Sequence, residues 1–121
     1  MARILIIDDD VIMRKLLTDM LEHVGHDVIS VSDGRSGFKA NEETPFDIII
    51  TDMVMPEYSG INLITDLLNK DPDTKIIAIS GGGTIDAERY LSIAELIGAQ
   101  HILYKPFSTK ELLAAVNDLL D

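Results

Sequence analysis

Three acidic residues stand where apolar runs of the chain end, and together they could bind a cation. Asp8 and Asp9 directly follow the apolar run 4–7, and Asp52 follows the run 48–51. Carboxylates held side by side repel one another unless an opposite charge compensates them. A hard cation with oxygen ligands supplies that charge, and Mg²⁺ suits a site with few carboxylates and several waters. The pattern therefore predicts a Mg²⁺ site that contains Asp8, Asp9 and Asp52.

Acidic residues after a strand have a second common role, which is to cap the next helix and interact with its dipole. For Asp10 the capping role is favoured. For Asp8 and Asp9, position alone leaves capping and metal binding equally open. Asp52 is harder to explain in this way, because an unpaired charge beside a buried run is costly. An ordinary loop aspartate remains the alternative for that residue.

A carboxylate held beside a metal can also act as a nucleophile toward a phosphoryl group and form an acyl phosphate. Ser80 and Lys105 end two further apolar runs and supply complementary groups. A hydroxyl and a fixed ammonium can stabilise the charge on a phosphoryl group during transfer. Each alone would be an ordinary strand-end residue, but beside the acids they indicate phosphoryl transfer to Asp52.

The elements that must position these groups are visible as alternating patterns. Five short apolar, β-branched runs lie at 3–7, 27–31, 47–51, 75–80 and 101–104. Segments with helical spacing of apolar residues separate them. The near-continuous Ile/Leu runs suit strands that are covered on both faces. We therefore predict an α/β fold, a doubly wound sheet of five parallel strands with five helices and right-handed crossovers.

Helix-start signals agree with this assignment. Ser108 and Glu111 have the spacing of a capping box before the last helix, and Ser59 and Thr84 are candidate N-caps of two earlier helices. In open parallel sheets, ligands bind beyond the carboxyl ends of the strands. The polar residues that end the strands should therefore converge at one edge.

Composition excludes several classes of function. The chain has 121 residues, no Cys and a formal charge of −11, so disulfides, thiol catalysis and Cys-ligated metals are excluded. The charge argues against direct nucleic-acid binding and against anionic membranes, and no apolar run is long enough to insert in a membrane. We expect a cytoplasmic protein in which residues 1–121 form a single domain. Since the chain ends with the fifth helical segment, no effector domain is expected in it.

Over essentially its whole length, the chain resembles the receiver domain of two-component response regulators. The resemblance rests on four motifs in the right order: Asp8-Asp9-Asp10 after an apolar run, Asp52-Met53-Val54-Met55-Pro56 with Gly60 following, Ser80, and Lys105-Pro106-Phe107. It implies a flavodoxin-like receiver fold with strand order 2-1-3-4-5.

The resemblance also implies roles for the site residues. Asp52 is the expected phosphoacceptor. The Mg²⁺ ligands are then Asp9 directly, Asp8 through water, Asp52 and the backbone carbonyl of Val54. In the same family, residues at the positions of Ser80 and Lys105 supply a hydroxyl that moves toward the phosphate and a lysine that pairs with a phosphate oxygen.

The implied function is regulation in a two-component phosphorelay, rather than enzymatic turnover of a substrate. The phosphoryl donor would be a histidine kinase or a histidine phosphotransfer protein, and a downstream protein of unknown identity would read the phosphorylated state. The domain would take part in its own phosphorylation and dephosphorylation. We expect the kinase to dock on an apolar patch at Met13, Leu16 and Phe107, although the periodicity is equally compatible with a core role for the two helix residues.

Two features depart from the family pattern. Ile102 stands where receivers usually carry an aromatic residue on the fifth strand, and the segment 81–99 is a few residues longer than usual. Because Ile is β-branched and stiff, we expect the response to phosphorylation to concentrate in the glycine-rich loop 81–83 and the fourth helix.

Three other functions compete with this interpretation. A degenerate receiver that only docks partners would lack acceptor-site residues, yet all five are present. A haloacid-dehalogenase-type phosphatase would use Asp8 and Asp10, but it needs a later acidic pair and leaves the motif at Asp52 unexplained. A flavodoxin-like cofactor carrier fits the fold class, but the chain has no aromatic-rich loop.

Overall fold

The computed structural model describes residues 1–81 and 85–121. Strands and helices alternate throughout: β1 (Arg3–Ile7), α1 (Val11–His23), β2 (Asp27–Val31), α2 (Gly34–Glu43), β3 (Ile48–Asp52), α3 (Gly60–Lys70), β4 (Ile76–Gly81), α4 (Ile85–Ile97), β5 (His101–Lys105) and α5 (Thr109–Leu120). Within the described ranges, no helix is both long and apolar enough to span a bilayer.

The five strands form one parallel sheet in the order β2-β1-β3-β4-β5. This confirms the predicted fold class and strand order. The direction of winding reverses between β1 and β3, which are neighbours in the sheet but not in the chain. A crevice for ligands opens at such a point. The residues that follow β1 and end β3 therefore lie next to each other.

Alternating side chains of the central strands build a core on each face of the sheet. Ile4 and Ile6 pack toward α1 and α5, whereas Leu5 and Ile7 pack toward α2, α3 and α4. All four are fully buried. Burial on both faces explains why these strands show continuous rather than alternating hydrophobicity. The edge strand β2 is more exposed, as its position requires.

Side-chain caps fix where the helices begin. Asp10, Asp33 and Ser59 accept backbone N–H bonds at the starts of α1, α2 and α3. Ser108 and Glu111 form the predicted capping box of α5. The proposed cap Thr84 lies outside the described residues.

Three strands extend one residue beyond the sequence prediction, because the backbone ladder continues past the last apolar side chain. Asp52 pairs with Ile79, and Gly81 pairs with Lys105. Asp52 and Lys105 are therefore the final residues of β3 and β5. Regular strand backbone holds both candidate site residues.

Candidate functional site

The carboxyl edge of the sheet brings the three predicted acids together. One carboxylate oxygen each from Asp8, Asp9 and Asp52 lie within 4.8 Å of one another. Asp8 is fully buried, Asp52 is 7% exposed and Asp9 is exposed to solvent. Three hard oxygen donors, of which one faces water, form a donor set that fits Mg²⁺.

Lys105 reaches the same point from the end of β5. Its Nζ lies 3.2 Å from Asp8 Oδ2 and 3.4 Å from Asp52 Oδ2. The Lys105–Pro106 peptide bond is cis. The ammonium therefore neutralises part of the charge that the two buried carboxylates bring to the site.

The electrostatics of this pair have a clear direction. Burial raises the pKa of Asp52; the ammonium of Lys105 opposes the shift and the carboxylate of Asp8 adds to it, so the pKa is raised overall. Burial lowers the pKa of Lys105, but the carboxylates of Asp52 and Asp8 outweigh burial and raise it above its ordinary value. The lysine is therefore a permanent cation at neutral pH.

Backbone donors fix the orientation of the two buried carboxylates. The Asp10 N–H donates to Asp8 Oδ1 over 2.9 Å, and the Val54 N–H donates to Asp52 Oδ1 over 3.3 Å. Val54 thus lies at the same edge, and its carbonyl remains a proposed ligand. Sequence reasoning missed Arg14, whose guanidinium donates to the Asp8 carbonyl over 2.7 Å. No local motif marks an arginine on the second turn of a helix as part of a site.

Ser80 lies on β4 next to this cluster, one residue past Ile79, the partner of Asp52 in the sheet. It is 2% exposed and pairs in register with Tyr104. In the described part of the chain, no hydrogen bond joins Ser80 to the three acids or to Lys105. The structure therefore brings Asp8, Asp9, Asp52 and Lys105 into contact distance and leaves Ser80 beside them.

Gly60 lies so close to the backbone of Asp52 and Met53 that no side chain fits at this position. A Cβ on Gly60 would lie 2.7 Å from the carbonyl oxygen of Asp52 and 2.6 Å from Met53 Cα. Its N–H donates to the Met53 carbonyl over 3.1 Å. Any side chain here would push on the backbone of Asp52, which explains the glycine at this position of the motif.

The predicted apolar patch divides between core and surface. Met13 and Phe107 pack against the core on the α1 and α5 side of the sheet. Leu16 is 44% exposed, and Val11 and Ile12 on the same helix are more exposed than Leu16. The exposed apolar surface of α1, called here the α1 patch, therefore consists of Val11, Ile12 and Leu16.

Residues 4–117 match the family model of the response regulator receiver domain. The chain belongs to this family. The receiver protein CpdR of Brucella abortus is 34% identical to it over 99% of this chain and 98% of the relative. The chemotaxis protein CheY of Thermotoga maritima is 33% identical over 95% of this chain and 94% of the relative.

Solved structures agree with the sequence relatives. A response regulator receiver domain protein from Clostridium thermocellum superposes on this chain with a TM-score of 0.90 and 30% sequence identity. The match covers 99% of this chain and 94% of the Clostridium chain. Other relatives are longer: the transcriptional regulator NtrC of Azospirillum brasilense is 36% identical to 99% of this receiver domain, which spans only 24% of it.

The protein is thus a receiver domain of the two-component response regulators. Receiver domains are regulatory, bind Mg²⁺ through acidic residues, and interact with histidine kinases and downstream effectors. Membership of this family rules out the phosphatase and cofactor-carrier interpretations of the sequence.

Proposed function

We propose that residues 1–121 form one receiver domain in which Asp52 accepts a phosphoryl group from a phosphohistidine donor. The observation that carries the proposal is the cluster at the carboxyl edge: Asp52 ends a buried strand, within reach of Asp8, Asp9 and the ammonium of Lys105. The protein is then a regulatory phosphoacceptor and not an enzyme that turns over a substrate. Its cytoplasmic location stays a prediction from the sequence.

In this proposal the residues of the site divide the work. Asp9, Asp52 and the Val54 carbonyl would hold Mg²⁺ directly and Asp8 would hold it through water; the bound ion would neutralise charge on the transferring phosphoryl group. The Asp52 carboxylate oxygen attacks phosphorus, the P–N bond to the donor histidine breaks, and the imidazole leaves as the acyl phosphate forms on Asp52. Lys105, next to Asp52, pairs with a phosphoryl oxygen, and the Ser80 hydroxyl moves toward the phosphate. The backbone bond from Val54 orients the carboxylate before transfer.

The proposal predicts Mg²⁺-dependent phosphorylation by a small acyl phosphate, without any kinase. Intact mass spectrometry should detect a single added phosphoryl group in Mg²⁺ and none when a chelator is present, and peptide mapping should locate it at Asp52. Phosphorylation that is unaffected by the chelator would contradict the Mg²⁺ site. No phosphorylation by either an acyl phosphate or a phosphorylated kinase would instead favour the degenerate receiver that only docks partners.

The kinase-docking surface follows from the α1 patch. Val11, Ile12 and Leu16 expose apolar side chains on the helix that begins directly after Asp8 and Asp9. We therefore move the proposed docking surface outward from Met13 and Phe107 to these three residues. An apolar patch beside the acceptor suits a helical surface of the donor protein, since apolar anchors carry most of the binding energy in such contacts.

Ile12→Asp should slow phosphoryl transfer from the phosphorylated partner kinase about tenfold, the effect of losing one binding anchor. Phosphorylation by acyl phosphate should be unchanged, because Ile12 is 76% exposed and, among the described residues, has no hydrogen bond or ion pair with the three site acids. Leu96→Asp is the matched control, since Leu96 is 85% exposed on α4, away from α1. Rate constants for both donors can be measured side by side. Equal slowing with both donors would contradict a docking role.

The position of Ile102 bears on how the domain responds to phosphorylation. Ile102 packs in the core on the α3 and α4 side of the sheet, where a stiff side chain permits little movement. We expect the change to involve α4 and the glycine-rich segment before it. Gly82 and Gly83 of that segment lie outside the described residues.

A further inference from the structure

The loop that joins β3 to α3, residues 53–59, contains Val54. A backbone hydrogen bond joins the two ends of this loop. The N–H of Gly60 donates to the Met53 carbonyl over 3.1 Å, and there is no room for a Cβ between Gly60 and Met53. The two ends of the loop therefore lie against each other beside Asp52. Met53 and Met55, on either side of Val54, are buried in the core, and the other end of the loop is held by Tyr58.

A second attachment lies at the far end of the loop, where Tyr58 joins two helices. Its hydroxyl donates to Asp66 Oδ2 on α3. Its ring edge contacts Gly34, the first residue of α2, where an added Cβ would lie 2.7 Å from Tyr58 Cδ2. The guanidinium carbon of Arg35 lies 5.2 Å from the ring centroid. One side chain thus connects the loop to both α2 and α3.

The electrostatics of Tyr58 keep this connection intact. Burial and the hydrogen bond to Asp66 raise the pKa of Tyr58 to about 12. The hydroxyl therefore stays protonated and able to donate over the whole physiological range. Arg35 above the ring adds a cation–π contact that favours the same ring position.

The turn between the two attachments is in an unfavourable conformation. Glu57 has φ of +68°, and the Tyr58 N–H donates to the Pro56 carbonyl over 2.7 Å. A non-glycine residue adopts such a φ only where its surroundings hold it there. Without the Tyr58 attachment, this turn would be held to the domain through buried Met55, the residue that joins it to Val54.

We propose that Tyr58 is a positioning residue for the Mg²⁺ site, which holds the Val54 carbonyl in place by fastening its loop to α2 and α3. This inference rests on the proposed function, in which that carbonyl is a ligand. Gly34 is part of this attachment, because only a residue without a side chain leaves room for the Tyr58 ring. Asp66 completes it as the acceptor of the hydroxyl.

The test compares Tyr58→Ala, Gly34→Ala and the double variant by titrating MgCl₂ into ¹⁵N-labelled protein and following the backbone amides. Each single variant should bind Mg²⁺ about tenfold more weakly, the lower end of the range for partners that support metal ligands. The backbone of Gly34 accepts alanine, since its φ is not positive. Because Gly34 acts only through the ring, the double variant should bind Mg²⁺ as Tyr58→Ala does.

Tyr58→Phe keeps the ring and removes only the bond to Asp66, so its loss of affinity should be smaller, and it keeps the test decisive if Tyr58→Ala unfolds. Tyr90→Phe on α4 is the matched control and should leave Mg²⁺ affinity unchanged. At saturating Mg²⁺, Tyr58→Ala should regain the wild-type rate of phosphorylation by acyl phosphate, because positioning is then restored by mass action.

Wild-type Mg²⁺ affinity in Tyr58→Ala and Tyr58→Phe, additive losses in the double variant, or a rate that stays low at saturating Mg²⁺ would each overturn the inference alone. A wild-type protein that binds no Mg²⁺ would overturn the proposed function and this inference with it. The wild-type titration therefore distinguishes the two failures.

Discussion

Asp52→Asn should accept no phosphoryl group from acyl phosphate at any Mg²⁺ concentration, and it should be more stable than the wild type in metal-free buffer. The first effect follows because an amide oxygen is not a nucleophile toward phosphorus under these conditions. The second follows from the pKa of Asp52, which burial and the neighbouring Asp8 raise against the opposing charge of Lys105.

The sign of the stability effect is set by that direction. A group whose folded-state pKa lies above its unfolded value stabilises the fold fully below the unfolded pKa, and the contribution is lost as pH rises through the folded-state pKa. At pH 7 the ionised Asp52 therefore lowers the free energy of unfolding of the metal-free protein. Asparagine removes that charge, and we expect a gain on the order of 1 kcal/mol, the usual size of a single-residue effect.

Urea unfolding at pH 7 with a chelator measures the gain, and mass spectrometry measures phosphorylation. Asp10→Asn is the matched control, because asparagine caps a helix as well as aspartate does and Asp10 caps α1. That variant should be phosphorylated normally and keep its stability. A phosphoryl group on Asp52→Asn would place the acceptor elsewhere. Lower stability of the variant would mean that the pairing of Asp52 with Lys105 outweighs its burial.

Lys105→Ala should be phosphorylated about a hundredfold more slowly at saturating Mg²⁺, the typical cost of removing one group that stabilises transition-state charge. Mg²⁺ affinity should be retained or increased. The reason is that the ammonium, at 3.2 Å from Asp8 and 3.4 Å from Asp52, pairs with the same carboxylates that bind the metal. Stopped-flow kinetics with acyl phosphate measure the phosphorylation rate, and a separate MgCl₂ titration measures the Mg²⁺ affinity.

The same substitution should weaken the metal-free fold by about 3 kcal/mol, since it leaves two buried carboxylates without their partner cation. Added Mg²⁺ should recover much of that loss by binding only the folded state. Lys110→Ala is the matched control, because Lys110 is exposed on α5 and forms no ion pair with the site acids in the described part of the chain. Equal phosphorylation rates in Lys105→Ala and the wild type would reject this role for Lys105.

Sequence reasoning reached the site because the site lies at the ends of strong apolar runs. Asp52, Ser80 and Lys105 each follow such a run, and parallel strands must present their carboxyl ends at one edge. The capping box of α5 and the cap at Ser59 were also predictable, because capping depends on residues three positions apart.

Local periodicity could not decide which apolar residues of α1 are exposed. Its stripe is wider than one face, and the rotation of the helix against the sheet buries part of Met13 while leaving Leu16 in solvent. That rotation is set by the core cluster that α1 shares with β1, β3, β4 and α5, most of whose residues are distant in sequence. The apolar side chains available for docking are therefore those of the α1 patch, whereas Met13 and Phe107 pack against the core.

The sequence by itself determined the fold class, the residue types of the site and the edge at which they lie, because each depends on short-range patterns and the geometry of parallel strands. Only the tertiary structure decided that Lys105 bridges Asp8 and Asp52, that Arg14 holds the Asp8 backbone, and that Tyr58 fastens its loop between two helices. Strand order brings Lys105 to Asp8 and Asp52, which are far from it in sequence, whereas the contacts of Arg14 and Tyr58 depend on the path of the loops beside them; no local pattern specifies either.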